Sequence, residues 1–157
     1  MMETFERSLV IIKPDAIQRN LLGQIIERFE RKGLQIIGLR MMQLEDLLLD
    51  EHYAHHKDKP FFDSLKKYMQ SAPVVLMVLS GLNAVQAIRL IVGPTRGYEA
   101  DAGTIRGDFA LSGQSNIVHA SDEPATAEEE IKRFFKPTDL FVYKKADFPY
   151  IYSELSG

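Results

Sequence analysis

The chain has 157 residues, of which 45% are hydrophobic and 26% charged, and its formal net charge is −3 at pH 7. These values are typical of one globular domain, 1–157, with its own core, and the acidic balance argues against nucleic acid as a partner. The absence of cysteine excludes disulfides, thiolate metal sites and a cysteine nucleophile, and it fits a reducing cytoplasm. No apolar run approaches the ~18 residues of a membrane span, so we expect no membrane partner.

The first quarter of the chain contains a buried strand followed by an amphipathic helix. Residues 9–12 form a continuous apolar run, which predicts a central strand. Pro14 stops this strand, because proline cannot donate to a sheet ladder. Ile25 and Phe29 recur at helical spacing, and Gly33 ends that helix.

The remaining patterns complete a βαββαβ order. Further strands are predicted over 34–42 and 74–79, around His119, and over 141–143. Further helices are predicted over 45–56 and 61–70, after an Asn83 cap, and from a capping box at 126–129 to about Phe135. Residues 95–115 hold four glycines and little periodicity, as functional or mobile loops do. The order predicts an α/β protein of the α+β, ferredoxin-like class, a mostly antiparallel sheet with helices packed on one face.

Three basic side chains stand at the ends of elements or beside an apolar stripe. The chain has neither a glycine-rich phosphate loop nor a dinucleotide fingerprint, so side chains must hold any bound nucleotide. Lys13 ends the first strand, and we favour a phosphate contact for it over snorkelling of its side chain to the surface. Arg106 lies between glycines that let the backbone approach a ligand, so we favour a phosphate contact for it over a surface ion pair with Asp108. For Arg89, snorkelling and phosphate binding remain equally open.

The most specific motif is Asn-Ile-Val-His-Ala-Ser-Asp at 116–122. A short β-like run delivers His119 to a turn of small residues before a helix. Neutral imidazole is a good nucleophile near pH 7, and a helix N-terminus favours anions, so His119 can attack or hold a phosphoryl group. Glu130, expected in the first turn of that helix, can orient the imidazole. The alternatives are a structural histidine and a solvated glutamate.

Two clusters of rings lie between residues 52 and 62. His52 and His56 have the i, i+4 spacing of a metal site, but no third ligand is evident locally, so a solvated helix face is favoured. Phe61 and Phe62 stand at a helix start, where one is core and the other a stacking platform for a base, or both are core.

Taken together, these motifs resemble nucleoside diphosphate kinase. The resemblance covers residues 9 to about 139 and is carried by the motifs at 10–15, 52–53, 59–62, 103–109 and 116–122. It implies transfer of the γ-phosphate of a nucleoside triphosphate such as ATP to a nucleoside diphosphate, in two halves through a phosphohistidine. It also implies a need for Mg²⁺, a homo-oligomer that is a hexamer or in some bacteria a tetramer, and a cytoplasmic location.

The resemblance assigns catalytic roles residue by residue. His119 matches the nucleophile, and Ser121 and Glu130 match the pair that fixes its ring. Asp122 matches the residue near Mg²⁺, which is bound chiefly by the diphosphate.

It assigns nucleotide-binding roles in the same way. The phosphate-holding positions are matched by Lys13, Tyr53, Arg89, Thr95 and Arg106. Phe61 matches the aromatic ring that stacks on the base, Leu65 lines the same slot, and Asn116 reaches the ribose 3′-hydroxyl together with Lys13. Because stacking accepts every base, we expect broad nucleotide specificity.

Three features depart from the family pattern. Ala120 stands where the family most often has glycine, residues 95–103 lack the family's prolines, and an extension at 144–157 is longer than in short bacterial members. The aromatic residues of the extension predict packing against the body or a neighbouring subunit. The competing interpretation of the whole chain is a non-catalytic nucleotide-binding regulatory module on the same fold, which would not need His119.

Overall fold

The computed structural model describes residues 4–152 and contains one four-stranded antiparallel sheet. The strands are β1 (Phe5–Ile12), β2 (Gln35–Met42), β3 (Val74–Leu82) and β4 (Val118–Ala120). Their order is β2-β3-β1-β4, with β1 paired along its length to β3 and, at its end, to β4. This is the predicted ferredoxin-like arrangement, and it places His119 directly opposite Ile11.

Eight α-helices connect and cover the strands in the described part of the chain. They are α1 (Pro14–Gln18), α2 (Leu22–Lys32), α3 (Asp46–His52), α4 (Phe62–Met69), α5 (Ala84–Val92), α6 (Ile105–Phe109), α7 (Pro124–Phe134) and α8 (Phe148–Ile151). None of the helices between residues 4 and 152 combines the length and apolar character needed to cross a bilayer.

The helices pack on both faces of the sheet. Val10 and Ile12 of β1 join a core with α2 and α5, whereas Leu9 and Ile11 join a second core with α3, α4 and α7. Successive strand residues point to opposite faces, so β1 is buried on both sides, and this explains its continuous apolar run. The expectation of helices on one face alone was therefore wrong.

Two predicted helix caps differ from the observed ones. Asn83 precedes α5, but its side chain makes no cap; Glu6 Oε2 instead accepts from the Val85 amide at 3.0 Å. The capping box at 126–129 was wrong, because α7 begins at Pro124, a residue type whose fixed φ suits the first helical position. As a result Glu130 lies in the second turn and not the first. By contrast, Gly33 ends α2 as predicted, in a left-handed conformation at φ +103°.

Three other segments differ from prediction. The helix predicted over 45–56 stops at His52 and continues only as a 3₁₀ turn, Ala54–His56. The loop 95–115 contains α6, and 141–143 is not a strand, although the Phe141 amide donates to Ile37 O at 2.8 Å.

The described part of the C-terminal extension lies on the body of the protein. The ring of Phe148 stacks on that of Phe5 with a centroid distance of 6.1 Å, and Tyr152 lies 5.2 Å from the same ring. Residues 153–157 of the predicted extension lie outside the described residues.

Candidate active site

One open cleft of about 820 Å³ gathers side chains from distant parts of the chain. Its lining includes every predicted site residue except Ser121: Lys13, Tyr53, Phe61, Leu65, Arg89, Thr95, Arg106, Asn116, His119, Asp122 and Glu130. The structure therefore brings together residues that the sequence places up to 117 positions apart, from 13 to 130.

His119 lies on β4 with one ring nitrogen engaged. Its Nε2 is 2.7 Å from Glu130 Oε2, and within residues 4–152 its Nδ1 makes no hydrogen bond. A neutral imidazole that donates from Nε2 carries a lone pair on Nδ1, and this hydrogen-bond network assigns that tautomer. The side chain is 23% exposed, so a ligand in the cleft can reach it.

The residue after His119 shows why the departure from glycine is tolerated. Ala120 is buried in the core and pairs with Val10, and its φ is not positive. Since only a positive φ requires glycine, the methyl group fits without backbone strain.

Glu130 is an ionised carboxylate almost shielded from water, with 4% exposure. Burial alone would raise its pKa, but the hydrogen bond from His119 and the positive charge of that ring in its protonated form, together with the nearby Ser121 hydroxyl and His52, lower the pKa to about 2. The helix N-terminus that we expected to keep Glu130 charged is a turn away. The contact with His119, which forms only in the tertiary structure, keeps the Glu130 carboxylate ionised instead.

Ser121 is fully buried and bonded to the backbone of β1. Its Oγ accepts from the Leu9 amide at 3.3 Å and donates to Leu9 O at 3.4 Å. The hydroxyl therefore ties the turn after His119 to the sheet, which is why it does not line the cleft.

His52 is the residue whose placement the sequence pattern missed. It is 6% exposed, and its ring meets the His119 ring edge-on with a centroid distance of 4.9 Å. Arg133 Nη1 donates to His52 Nδ1 at 3.0 Å, and burial, more than the charges around it, lowers the His52 pKa to about 3. The prediction of a solvated face was wrong for His52, because α3 packs on α7, which no local signal indicates. His56, the other histidine of that prediction, is half-buried, and only its neighbour His55 is exposed.

Lys13 sits on the floor of the cleft within a chain of hydrogen bonds. Its Nζ donates to Asn116 Oδ1 at 2.7 Å, and Asn116 Nδ2 donates to Thr95 O at 2.9 Å. Lys13 is 7% exposed and does not snorkel to the surface. Burial, followed by the charge of Arg106, lowers its pKa to about 8, against the opposing effect of Asp15.

Two arginines add positive charge to the same cleft. Arg106 donates to the backbone oxygens of Gly93, Asn116 and Val118 at 3.0, 3.3 and 2.6 Å, which leaves two of its five N–H groups free. Burial, then the charge of Arg89, lowers its pKa to about 10. Arg89 itself is exposed on the cleft and has no ion pair within residues 4–152.

Arg106 does not form the surface pair that the sequence offered as the alternative. Asp108 instead accepts from Arg28 at 2.6 Å. The guanidinium of Arg106 is thus directed to the loop before β4 and to the cleft.

The far end of the cleft is aromatic. Phe61 is 44% exposed and meets the His56 ring edge-on at 5.1 Å, whereas Phe62 and Leu65 are buried in the second core. The phenylalanine pair is therefore divided into one core ring and one cleft ring. Tyr53 is also buried, and burial raises the pKa of its phenol, so the hydroxyl is neutral.

A contact between Tyr68 and Asp15, which the sequence pattern did not indicate, supports the loop before His119. The Tyr68 hydroxyl hydrogen-bonds to Asp15, whose Oδ2 accepts from the Ile117 amide at 3.1 Å. Ile117 has φ +75°, a conformation that costs a β-branched residue about 1–3 kcal/mol. Asp15, itself held by Tyr68, fixes this strained residue two positions before the candidate nucleophile.

The comparisons with known proteins agree on one family. The family model described as nucleoside diphosphate kinase matches residues 6–140. A nucleoside diphosphate kinase of Parabacteroides distasonis is 48% identical over 148 residues, 94% of this chain and 97% of the relative, and one of Methanothermobacter thermautotrophicus is 50% identical over 149 residues, 95% and 99%.

The similar solved structures have the same fold. A halophilic nucleoside diphosphate kinase from Halobacterium salinarum in complex with CDP superposes with a TM-score of 0.92 at 39% identity, covering 95% of this chain and 99% of that one. The Aquifex aeolicus nucleoside diphosphate kinase gives a TM-score of 0.84 at 37% identity, covering 88% and 100%.

Proposed function

This chain belongs to the nucleoside diphosphate kinase family of phosphotransferases, and we propose that it transfers the γ-phosphoryl group of a nucleoside triphosphate to a nucleoside diphosphate through Nδ1 of His119. The observation that carries the proposal is the His119–Glu130 pair, in which a buried carboxylate 2.7 Å from Nε2 leaves the Nδ1 lone pair unengaged. An oriented imidazole of this kind is an activated nucleophile.

The reaction then has two similar halves. In the first, the Nδ1 lone pair attacks the γ-phosphorus, an N–P bond forms, and the bond from that phosphorus to the bridging oxygen breaks to release the diphosphate. In the second, a terminal oxygen of the acceptor diphosphate attacks the phosphorus, and the N–P bond breaks. The Nε2 proton stays in its hydrogen bond to Glu130 throughout, so Glu130 stabilises the positive charge that develops on the ring.

We place the phosphates against the positive side of the cleft. Lys13, Arg89 and Arg106 supply charge, and Tyr53 and Thr95 line the same space. Transfer of a phosphoryl group depends on positioning and charge neutralisation more than on further covalent steps. The free N–H groups of Arg106 and the unpaired Arg89 suit anionic oxygens.

We place the nucleoside at the other end of the cleft. Asn116, bonded to Lys13, takes the ribose 3′-hydroxyl, and the half-exposed Phe61 stacks on the base beside Leu65. Broad nucleotide specificity stays our prediction, since every base has a stackable face. The Halobacterium salinarum relative, which is in complex with CDP, is consistent with a base site of this kind.

Mg²⁺ is the cofactor that we propose. Asp122 is an exposed carboxylate on the cleft, and Mg²⁺ is commonly held by one or two carboxylates together with substrate phosphates, so the residues present fit the ion. When bound, Mg²⁺ neutralises phosphate charge and orients the phosphates. The residues of this chain bind and align the nucleotide around it.

We also propose that the chain forms a homo-oligomer, either a hexamer or a tetramer. We further propose that it is cytoplasmic and that residues 1–157 form a single domain. Leu39 and Met41 on the edge strand β2 are 54% and 58% exposed, and exposed apolar side chains on an edge strand support contact with another copy. Light scattering coupled to size exclusion measures the number of copies.

One labelling experiment tests the reaction. We expect the chain to take up acid-labile phosphate from γ-labelled ATP and Mg²⁺, and to pass it to a nucleoside diphosphate. His119→Ala removes the nucleophile and should abolish both steps. Nucleotide binding without labelling of the wild-type chain would instead support the non-catalytic module.

A further inference from the structure

Three ligating side chains from three separate elements meet beside the cleft. His52, His119 and Glu130 each offer one ligating atom, and these atoms lie within 4.8 Å of one another. Glu130 Oε2 is 2.7 Å from His119 Nε2 and 3.4 Å from His52 Nδ1. We propose that this triad binds a zinc-like divalent cation and that the bound cation switches off His119. The switch, although not the metal binding, rests on the proposed function.

The donor set favours zinc over magnesium. Two imidazoles and one carboxylate are a common Zn²⁺ set, whereas Mg²⁺ prefers oxygen ligands and keeps several waters. Tetrahedral zinc with ligands at about 2.0–2.1 Å holds them about 3.3–3.5 Å apart. The His52–Glu130 separation already has this value, and the His119–Glu130 contact must open by ~0.7 Å. The ligating nitrogens of the two histidines lie within 4.8 Å of each other and must approach by up to ~1.4 Å.

The protonation states also suit a cation. Metal binding requires an ionised carboxylate and neutral imidazoles. The hydrogen bonds fit this requirement, because Arg133 Nη1 donates to His52 Nδ1, which is therefore unprotonated, and Glu130 Oε2 accepts from His119 Nε2. Because His119 is partly exposed, an ion can reach the site from the cleft. Three protein ligands leave the fourth coordination position of the ion for water.

The positive charge of Arg133 and its hydrogen bond to His52 oppose binding of a cation, so Arg133 lowers the affinity of the site for the metal. Its Nη1 donates to the His52 Nδ1 lone pair at 3.0 Å, which is the lone pair that the metal needs. Its Nε lies 3.3 Å from Glu51, a side chain that is 62% exposed, so the guanidinium has an anion toward which it can turn. Removing the charge of Arg133 should strengthen metal binding.

The switch follows from the tautomers of His119. A cation on Nε2 takes the lone pair at that atom, so the ring proton moves from Nε2 to Nδ1 with no net gain or loss of protons. Nδ1 then carries hydrogen and cannot attack phosphorus. The metal-bound form is therefore inactive until the cation leaves.

The experiment measures metal binding without nucleotide, on the full chain at pH 7.5. Zn²⁺ is competed against a chromogenic chelator, and Co²⁺ is followed by its visible absorption, which reports tetrahedral coordination. We expect one site per chain in the wild type and in His55→Gln, the matched control at an exposed neighbouring histidine. His52→Gln should weaken binding at least ~10-fold, and Arg133→Gln should strengthen it.

Glu130→Gln is a second ligand variant, used if His52→Gln does not fold. Thermal melting shows whether each of the two variants is folded. Diethyl pyrocarbonate, which modifies a free imidazole nitrogen, tests the switch: zinc should protect His119, as read by peptide mass. Equal zinc affinity in the wild type and the ligand variants would overturn the site. Bound zinc without protection of His119 would overturn the switch. A zinc-free chain that ATP cannot label would overturn the proposed function alone.

Discussion

Replacing Glu130 by glutamine tests the central electrostatic contact of the site. The amide oxygen of glutamine can still accept from His119 Nε2, so the change removes the charge and keeps the hydrogen bond. Glu130 is 4% exposed, and its pKa is lowered from 4.5 to about 2. At 1.36 kcal/mol per unit, the environment favours the ionised form by about 3 kcal/mol.

That free energy gives the expected size of the kinetic effect. Phosphorylation places positive charge on the His119 ring, and the buried carboxylate stabilises that charge, so losing it should slow phosphorylation by about 10²-fold. The Michaelis constant for the nucleotide should change far less, because Glu130 lies behind the ring rather than among the phosphate-binding cations.

A rapid-quench measurement of His119 phosphorylation by ATP gives the rate directly. Glu129→Gln is the matched control, since Glu129 is the preceding residue, also lines the cleft and is exposed. We expect this control to stay near the wild-type rate. A Glu130→Gln rate within threefold of wild type, in a folded protein, would refute the reasoning.

The remaining predictions concern charge, stacking and packing. Because burial lowers the pKa of Lys13 to about 8, its positive charge is lost as the pH rises through that value. Calorimetry should show the affinity for the nucleotide falling by up to about tenfold per pH unit above 8. An affinity that does not change with pH in Lys13→Arg would confirm that titration of Lys13 causes the fall. Phe61→Ala should weaken nucleotide binding by about 1–3 kcal/mol with little change in melting temperature, whereas Phe62→Ala, which removes a core ring, should destabilise the fold by about 3–5 kcal/mol. Gly107→Ala would place a methyl group 1.9 Å from a backbone oxygen and should lower stability by at least ~1–3 kcal/mol in denaturant unfolding, whereas Gly113→Ala, with 3.8 Å of space, should be nearly neutral.

The fold follows largely from local patterns in the sequence. The apolar run at 9–12 lies on a strand buried on both faces, and Gly33 ends its helix in the left-handed conformation that glycine tolerates. Cap positions were less predictable. At the start of α7, Pro124 competes with the Thr-Ala-Glu-Glu pattern two residues on, and a one-turn difference moves Glu130 away from the helix end.

The identity of the candidate nucleophile was also readable from the sequence, because the motif at 116–122 is short and its residues are adjacent. The tertiary structure decided the packing and the hydrogen bonds around that motif. His52 reaches Arg133 across 81 residues, and Lys13 reaches Asn116 across 103. Periodicity tells which face of a helix is apolar, but not which helix lies opposite it. The polar contacts of His119 therefore depend on how α3 and α7 pack on the sheet, and only the assembled core determines that.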